Sequence, residues 1–136
     1  MKVELKYQSD KEYIAVNDSG NSINIDMYDA LEKKSFSPMQ LLLSGVLSCA
    51  AVDVVSMIKK RRKTLVDFKG SATGERAKEY PMKFIEIHVH YIITSPDLNN
   101  EEAERAIALT INKYCSVASS LDPSISLKHS FEIIRS

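Results

Sequence analysis

An α+β fold, with antiparallel sheets packed around one long central helix, is the architecture this sequence predicts. Strand-like alternation comes in runs rather than in regular strand–helix succession, which points away from a parallel α/β sheet. One apolar stretch, residues 39–58, has no proline and no glycine after Gly45 and reads as a single long helix. A second helical pattern rich in acidic residues comes late in the chain, and one more alternating segment closes it.

The chain opens with alternation over residues 2–7, where Val3, Leu5 and Tyr7 share one face. Residues 13–16 form a second short strand. Asn17, Asp18, Ser19, Gly20 and Asn21 are turn formers, and residues 22–26 read as the returning strand. The central helix begins at Ser37-Pro38-Met39-Gln40. Ser37 is an N-cap, Pro38 suits the first helical position, and Gln40 completes a capping box. It ends in the cations Lys59, Lys60, Arg61, Arg62 and Lys63, which suit the negative end of the helix dipole.

Residues 64–73 read as a strand, with a turn at Gly74. Residues 83–94 are the clearest strand, with Ile85, Ile87, Val89, Tyr91 and Ile93 on one face and Glu86, His88 and His90 on the other. Ser95-Pro96-Asp97 ends it. Asn99 or Asn100 caps a second helix whose first turn carries Glu101 and Glu102. A short third helix carries Cys115 and stops before Pro123. Ile125, Leu127, His129, Phe131 and Ile133 alternate as the final strand.

With 136 residues the chain is expected to form one domain, 1–136. The 18 basic and 18 acidic residues cancel, so no overall field steers the molecule to nucleic acid or an anionic membrane. The basic run at 59–63 reads as a solvated helix end. Two cysteines are too few for a disulfide-stapled secreted scaffold, and the N-terminus alternates where a signal peptide would be apolar. The expectation is a cytoplasmic protein with reduced thiols. The 39–58 stretch is about as long as the ~20 residues that span a bilayer. Asp53 inside it would cost roughly 2.5–3.5 kcal/mol on insertion scales, so a helix covered by protein is the better reading. That helix offers more apolar surface than one modest sheet covers, which predicts an obligate homodimer with a large apolar interface.

The two cysteines are the chemical question. Cys49 sits about three turns into the helix, beyond the reach of its dipole, with Asp53 on the same face four residues on. Read from its neighbours alone, it is a small core residue. Cys115 lies near a helix start, where free backbone N–H groups favour a thiolate. They are 115 − 49 = 66 positions apart, so only the fold can bring them together.

Residues 37–43 with Cys49 and Asp53-Val54-Val55 resemble the central helix of the OsmC/Ohr family, the osmotically inducible and organic hydroperoxide resistance proteins. The stretch from Ala106 through Lys113-Tyr114-Cys115-Ser116-Val117 resembles that family's second-cysteine segment, and the likeness covers nearly the whole chain. The resemblance implies an OsmC-like fold in an intertwined homodimer, with active sites at the subunit interface. It implies a thiol peroxidase that reduces organic hydroperoxides: Cys49 becomes a sulfenic acid, Cys115 condenses with it to a disulfide, and an external dithiol, in some members a lipoyl protein, reduces that bond. No cofactor is implied.

Peroxidase members of the family pair a glutamate, ten residues before the first cysteine, with an N-terminal arginine. Here that position is Met39, and the first arginine of the chain is Arg61. Gln40 and Arg76 are the candidates for supporting roles. The departure motivates a second reading, a non-catalytic relative that binds a small apolar ligand at the dimer interface, with its cysteines as redox sensors or core residues. His88 and His90 share a face and His129 is a conceivable third ligand, but a polar sheet face explains them better than a metal site, which needs three or four convergent ligands. Ser44, Ser48 and Ser56 lack a hydrolase-like His-Asp arrangement and, with Gly45, read as small residues that let elements approach closely.

Overall fold

The computed structural model describes residues Met1–Ser136. Its contacts gather into two units, Met1–Leu42 and Leu43–Ser136.

In the first unit, strands β1 (Val3–Ser9), β2 (Glu12–Asn17) and β3 (Ser22–Asp26) form an antiparallel meander in the order β1-β2-β3. The expected turn forms because the Asn17 side-chain oxygen accepts the Ser19 and Asn21 amides at 3.0 and 2.9 Å, while Gly20 takes a φ of 84°. After β3 the chain wraps around the buried carboxylate of Asp26. Lys33 binds it at 2.5 Å, and the Lys34 and Ser35 amides donate to it at 2.8 and 2.6 Å. The expected capping box forms: the Ser37 hydroxyl accepts the Gln40 amide at 3.2 Å, and the Gln40 side chain accepts the Ser37 amide at 2.9 Å.

Helix α1 (Pro38–Lys60) carries the chain from the first unit into the second. Its buried residues are Val46, Ala50, Val54 and Ile58, a single stripe at four-residue spacing. It closes at Arg62, whose φ of 59° is left-handed, with the Lys63 amide returning to the Ile58 carbonyl at 3.3 Å. By length and composition α1 is long and apolar enough to cross a membrane. Only 22% of its most apolar window is buried within the chain, so the cover expected for it is not supplied by this chain alone.

The second unit holds a sheet in the order β4-β5-β6, from β4 (Asp67–Arg76), β5 (Phe84–Thr94) and β6 (Ser126–Ile134). The expectation of purely antiparallel sheets is corrected here: β4 and β5 are antiparallel, but β5 and β6 are parallel. The reason is the connection. Between them run α2 (Asn100–Leu109), a π turn (Thr110–Tyr114) and α3 (Ser116–Ser119), a helical crossover that brings the chain back to the same end of the sheet.

Two local readings also change. Gly74 is no turn; it lies inside β4, where a Cβ would collide with the Phe84 ring. A register shift between Glu75 and Arg76 turns Phe84 inward and leaves Ile85 exposed, so the buried row is Phe84, Ile87, Val89, Tyr91 and Ile93. Asn99 is the residue that caps α2. Its side chain accepts the Glu102 amide at 2.8 Å and the Glu102 side chain accepts its amide at 3.1 Å.

Candidate functional site

Cys49 stands half-buried on α1, beside the inward stripe that Val46 and Ala50 belong to. Two contacts fix this turn of the helix. The Tyr91 hydroxyl, from β5, donates to the Leu47 carbonyl at 2.7 Å. One turn before the cysteine, Gly45 leaves room for Val117, whose Cγ1 is 3.5 Å from where a Cβ would stand. The small residue there lets the chain around α3 lie directly on α1.

Cys115 comes to this place through the π turn. Its amide donates to the Thr110 carbonyl at 2.7 Å, a five-residue reach that takes an extra residue into the turn and rotates the chain beyond it. Thr110 is fully buried, and its hydroxyl lies 3.8 Å from the Met57 sulfur of α1. Cys115 then leaves helical geometry, with φ −71° and ψ 109°, and becomes the N-cap of α3. Its sulfur, wholly buried, accepts the Ala118 amide at 3.4 Å.

The two cysteines are free thiols and neighbours. Burial pushes the Cys115 thiol up. The Ala118 and Val117 amides pull it down, whereas the Cys49 thiol beside it adds to the rise. The net direction is upward. The expectation that a helix start would favour a Cys115 thiolate is therefore corrected: α3 has one turn, and two amides do not offset the loss of water around the sulfur.

Tyr91 is 1% exposed. Its burial, together with the charges that Cys115 and Cys49 would carry, drives its ionisation far above the ordinary phenol range. It stays neutral and donates its hydroxyl hydrogen bond to the Leu47 carbonyl. Beneath its ring lies Gly70, where a Cβ would stand 2.6 Å from the ring, and Phe68 packs at 4.9 Å between centroids.

Of the two supporting candidates, neither joins the thiols through a polar contact. Gln40 closes the capping box of α1. Arg76 ends β4 and its Nε donates to the Met82 carbonyl at 2.7 Å, holding the β4–β5 connection. Sequence reasoning missed Tyr91 and the π turn. The signal for Tyr91 was its place on the inward row of a strand, since a buried phenol needs an acceptor. Nothing local names Leu47 as that acceptor. The histidines do not converge. His88 Nε2 and His90 Nδ1 each lie 2.7 Å from the Ser130 hydroxyl, while His129 points from the opposite face of the sheet to Glu104 at 2.8 Å.

Four cavities lie away from the cysteines. One of about 300 Å³ sits on the N-terminal sheet beside Tyr13, Asn24 and Asp26, and three others, of about 540, 270 and 490 Å³, share Arg105 on α2. Neither cysteine lines them.

A long helix bearing one thiol, met by a second thiol at the N-cap of a one-turn helix, in an α+β frame, defines a class of dithiol proteins. The family described as "OsmC-like protein" matches residues 31–130, and the chain belongs to it. It is 34% identical over 134 residues to protein YhfA of Escherichia coli strain K12, covering 98% of each chain. It is 31% identical to a hypothetical protein of Aquifex aeolicus VF5 of known crystal structure, with a TM-score of 0.86 over 99% of this chain and 96% of that one. The crystal structure of an organic hydroperoxide resistance protein from Elizabethkingia anophelis shares the fold, with a TM-score of 0.70 at 16% identity over 100% and 97% of the chains.

Proposed function

We propose that this protein is a thiol peroxidase that reduces organic hydroperoxides, with Cys49 as the attacking thiol and Cys115 as the resolving one. The observation that carries the reading is the pairing itself: two cysteines far apart in sequence become neighbours on unlike elements. Membership of a family whose fold is shared by organic hydroperoxide resistance proteins supports it.

The Cys49 sulfur attacks the terminal oxygen of the hydroperoxide and the O–O bond breaks. The alkoxide takes the thiol proton and leaves as an alcohol, and the sulfur, oxidised by two electrons, becomes a sulfenic acid. Cys115 then displaces the sulfenic hydroxyl, which departs with the Cys115 proton as water, and the disulfide forms. A dithiol reductant, such as a lipoyl group on a protein, restores both thiols by exchange.

In this reading the working unit is a homodimer, because α1 leaves most of its apolar surface uncovered within one chain. The reduced protein mixed with cumene hydroperoxide is expected to lose both thiols and two hydrogens of mass. Retention of both thiols under excess peroxide sinks the reading, and a Cys49→Ser variant that consumes peroxide as fast as the parent removes Cys49 from its role.

A second reading keeps the fold without the turnover: a binder of a small apolar ligand at the subunit interface, its cysteines redox sensors or core residues. Met39 where peroxidases carry a glutamate, and an Arg76 guanidinium committed to Met82, favour it. Slow, stoichiometric thiol oxidation with no turnover on added dithiol is its expected outcome.

A further inference from the structure

We infer that Tyr91 is the positioning residue of the thiol pair: its hydroxyl, bound to the Leu47 carbonyl, holds the turn of α1 that presents Cys49 to Cys115. The inference deepens the proposed peroxidase reading and rests on the same two thiols.

Leu47 precedes Cys49 by two residues, so its carbonyl belongs to the turn that carries the thiol. That carbonyl is inside a regular helix, where the amide four residues on is its ordinary donor. The Tyr91 hydroxyl is therefore a second donor, brought from β5 at 2.7 Å. It joins α1 to the central strand of the β4-β5-β6 sheet at one defined rotation and height of the helix. A packed apolar stripe alone tolerates small slides, because dispersion contacts are not directional. A hydrogen bond between a rigid phenol and a fixed carbonyl is directional, and loses most of its strength when misaligned.

The phenol is itself held. It is 1% exposed, its ring fills the space left by Gly70, and Phe68 leans on it. Gly70 stands opposite Tyr91 in the β4–β5 register, and a Cβ there would meet the ring at 2.6 and 2.8 Å and the His90 carbonyl at 3.1 Å. The absence of a side chain at position 70 is thus a condition for the ring position, and the ring position is a condition for the Leu47 bond. Cys115 is set by contacts that do not involve the phenol, the π turn and Val117 over Gly45 of the same helix.

Two other roles for the phenol fit less well. It is not a general acid, because its proton is committed to Leu47 and it has no water-facing surface to be resupplied from. It is not merely core filling, because a phenylalanine would fill the same volume without the hydroxyl.

The test is the disulfide equilibrium of the full-length protein in glutathione buffers, read by thiol alkylation and intact mass, in Tyr91→Phe and, separately, Gly70→Ala. Both are expected to lower the effective concentration of one thiol for the other by roughly tenfold, the ratio that loss of one well-aligned hydrogen bond of about 1.4 kcal/mol supports. Ile93→Val is the control. It trims the same buried row without touching the hydroxyl and is expected to lower thermal stability while leaving the thiol equilibrium unchanged. An unchanged equilibrium in Tyr91→Phe overturns the inference. So does an equal loss in Ile93→Val, which would make the effect one of general stability. Because the readout needs no peroxide, a protein that forms the disulfide in glutathione yet ignores hydroperoxides would refute the peroxidase reading and leave Tyr91's role standing.

Discussion

Asp26 shows how much one buried side chain organises. It is 1% exposed, yet ionised. Burial alone would raise its carboxyl pKa. The Lys33 ammonium and the amides of Lys34, Ser35 and Tyr28 more than reverse that, and hold it at about 2. A folded value below the unfolded value of ~3.9 means that the unfolded chain takes up the proton first as the pH falls. The resulting stability is fully present above about pH 4 and is lost as the pH drops through about 2. Urea unfolding of the parent between pH 5 and 2 is expected to show that decline. Asp26→Asn is expected to be less stable at pH 7 and to show a flatter acid slope, since it has no charge to lose. Parallel slopes would assign the acid sensitivity to other carboxylates.

At the scale of elements, what the sequence revealed was local and what it concealed was not. The α2 cap was legible to within one residue, as Asn99 or Asn100, because a cap is set within one turn; the structure selects Asn99, in a capping box with Glu102. Asn99→Ala is expected to cost about 1 kcal/mol in a chemical-denaturation curve, and Asn99→Asp far less, because aspartate accepts the same amide. The helix start at Ser37, the Asn17 turn and the alternation of β5 were legible for the same reason. The parallel partner of β5 was hidden, since a strand's pattern does not say which way its neighbour runs. The bulge that exchanges Ile85 for Phe84 was hidden too, because one extra residue in a pairing leaves no mark on either strand alone. The candidate site divides in the same way. Cys49 and Cys115 were nameable from the chain, but their nearness depends on a crossover, a π turn and a tyrosine on a distant strand.

For the whole molecule, the decisive quantity is the uncovered surface of α1. Only 22% of its most apolar stretch is buried in one chain. Val52, in the middle of the helix, is 70% exposed. Apolar surface of that extent is covered in one of two ways, by another protein surface or by lipid. A zero net charge places no repulsion between copies, so a second chain is the partner that costs least to bring up. The state of the parent protein, together with a lysine at position 52, tells the two covers apart. In a homodimer packed through α1, Val52→Lys buries an unpaired ammonium and is expected to weaken association by at least tenfold, since such a charge costs several kcal/mol. Sedimentation equilibrium then shows the dimer giving way to monomer at micromolar concentration, with circular dichroism confirming that the fold persists. If lipid is the cover, the parent protein sediments with the membrane fraction and needs detergent, and a lysine at mid-helix impairs that partition. If the parent is a soluble monomer throughout and the lysine changes nothing, then neither cover is in place, and a site completed by a second subunit is excluded together with the dimer.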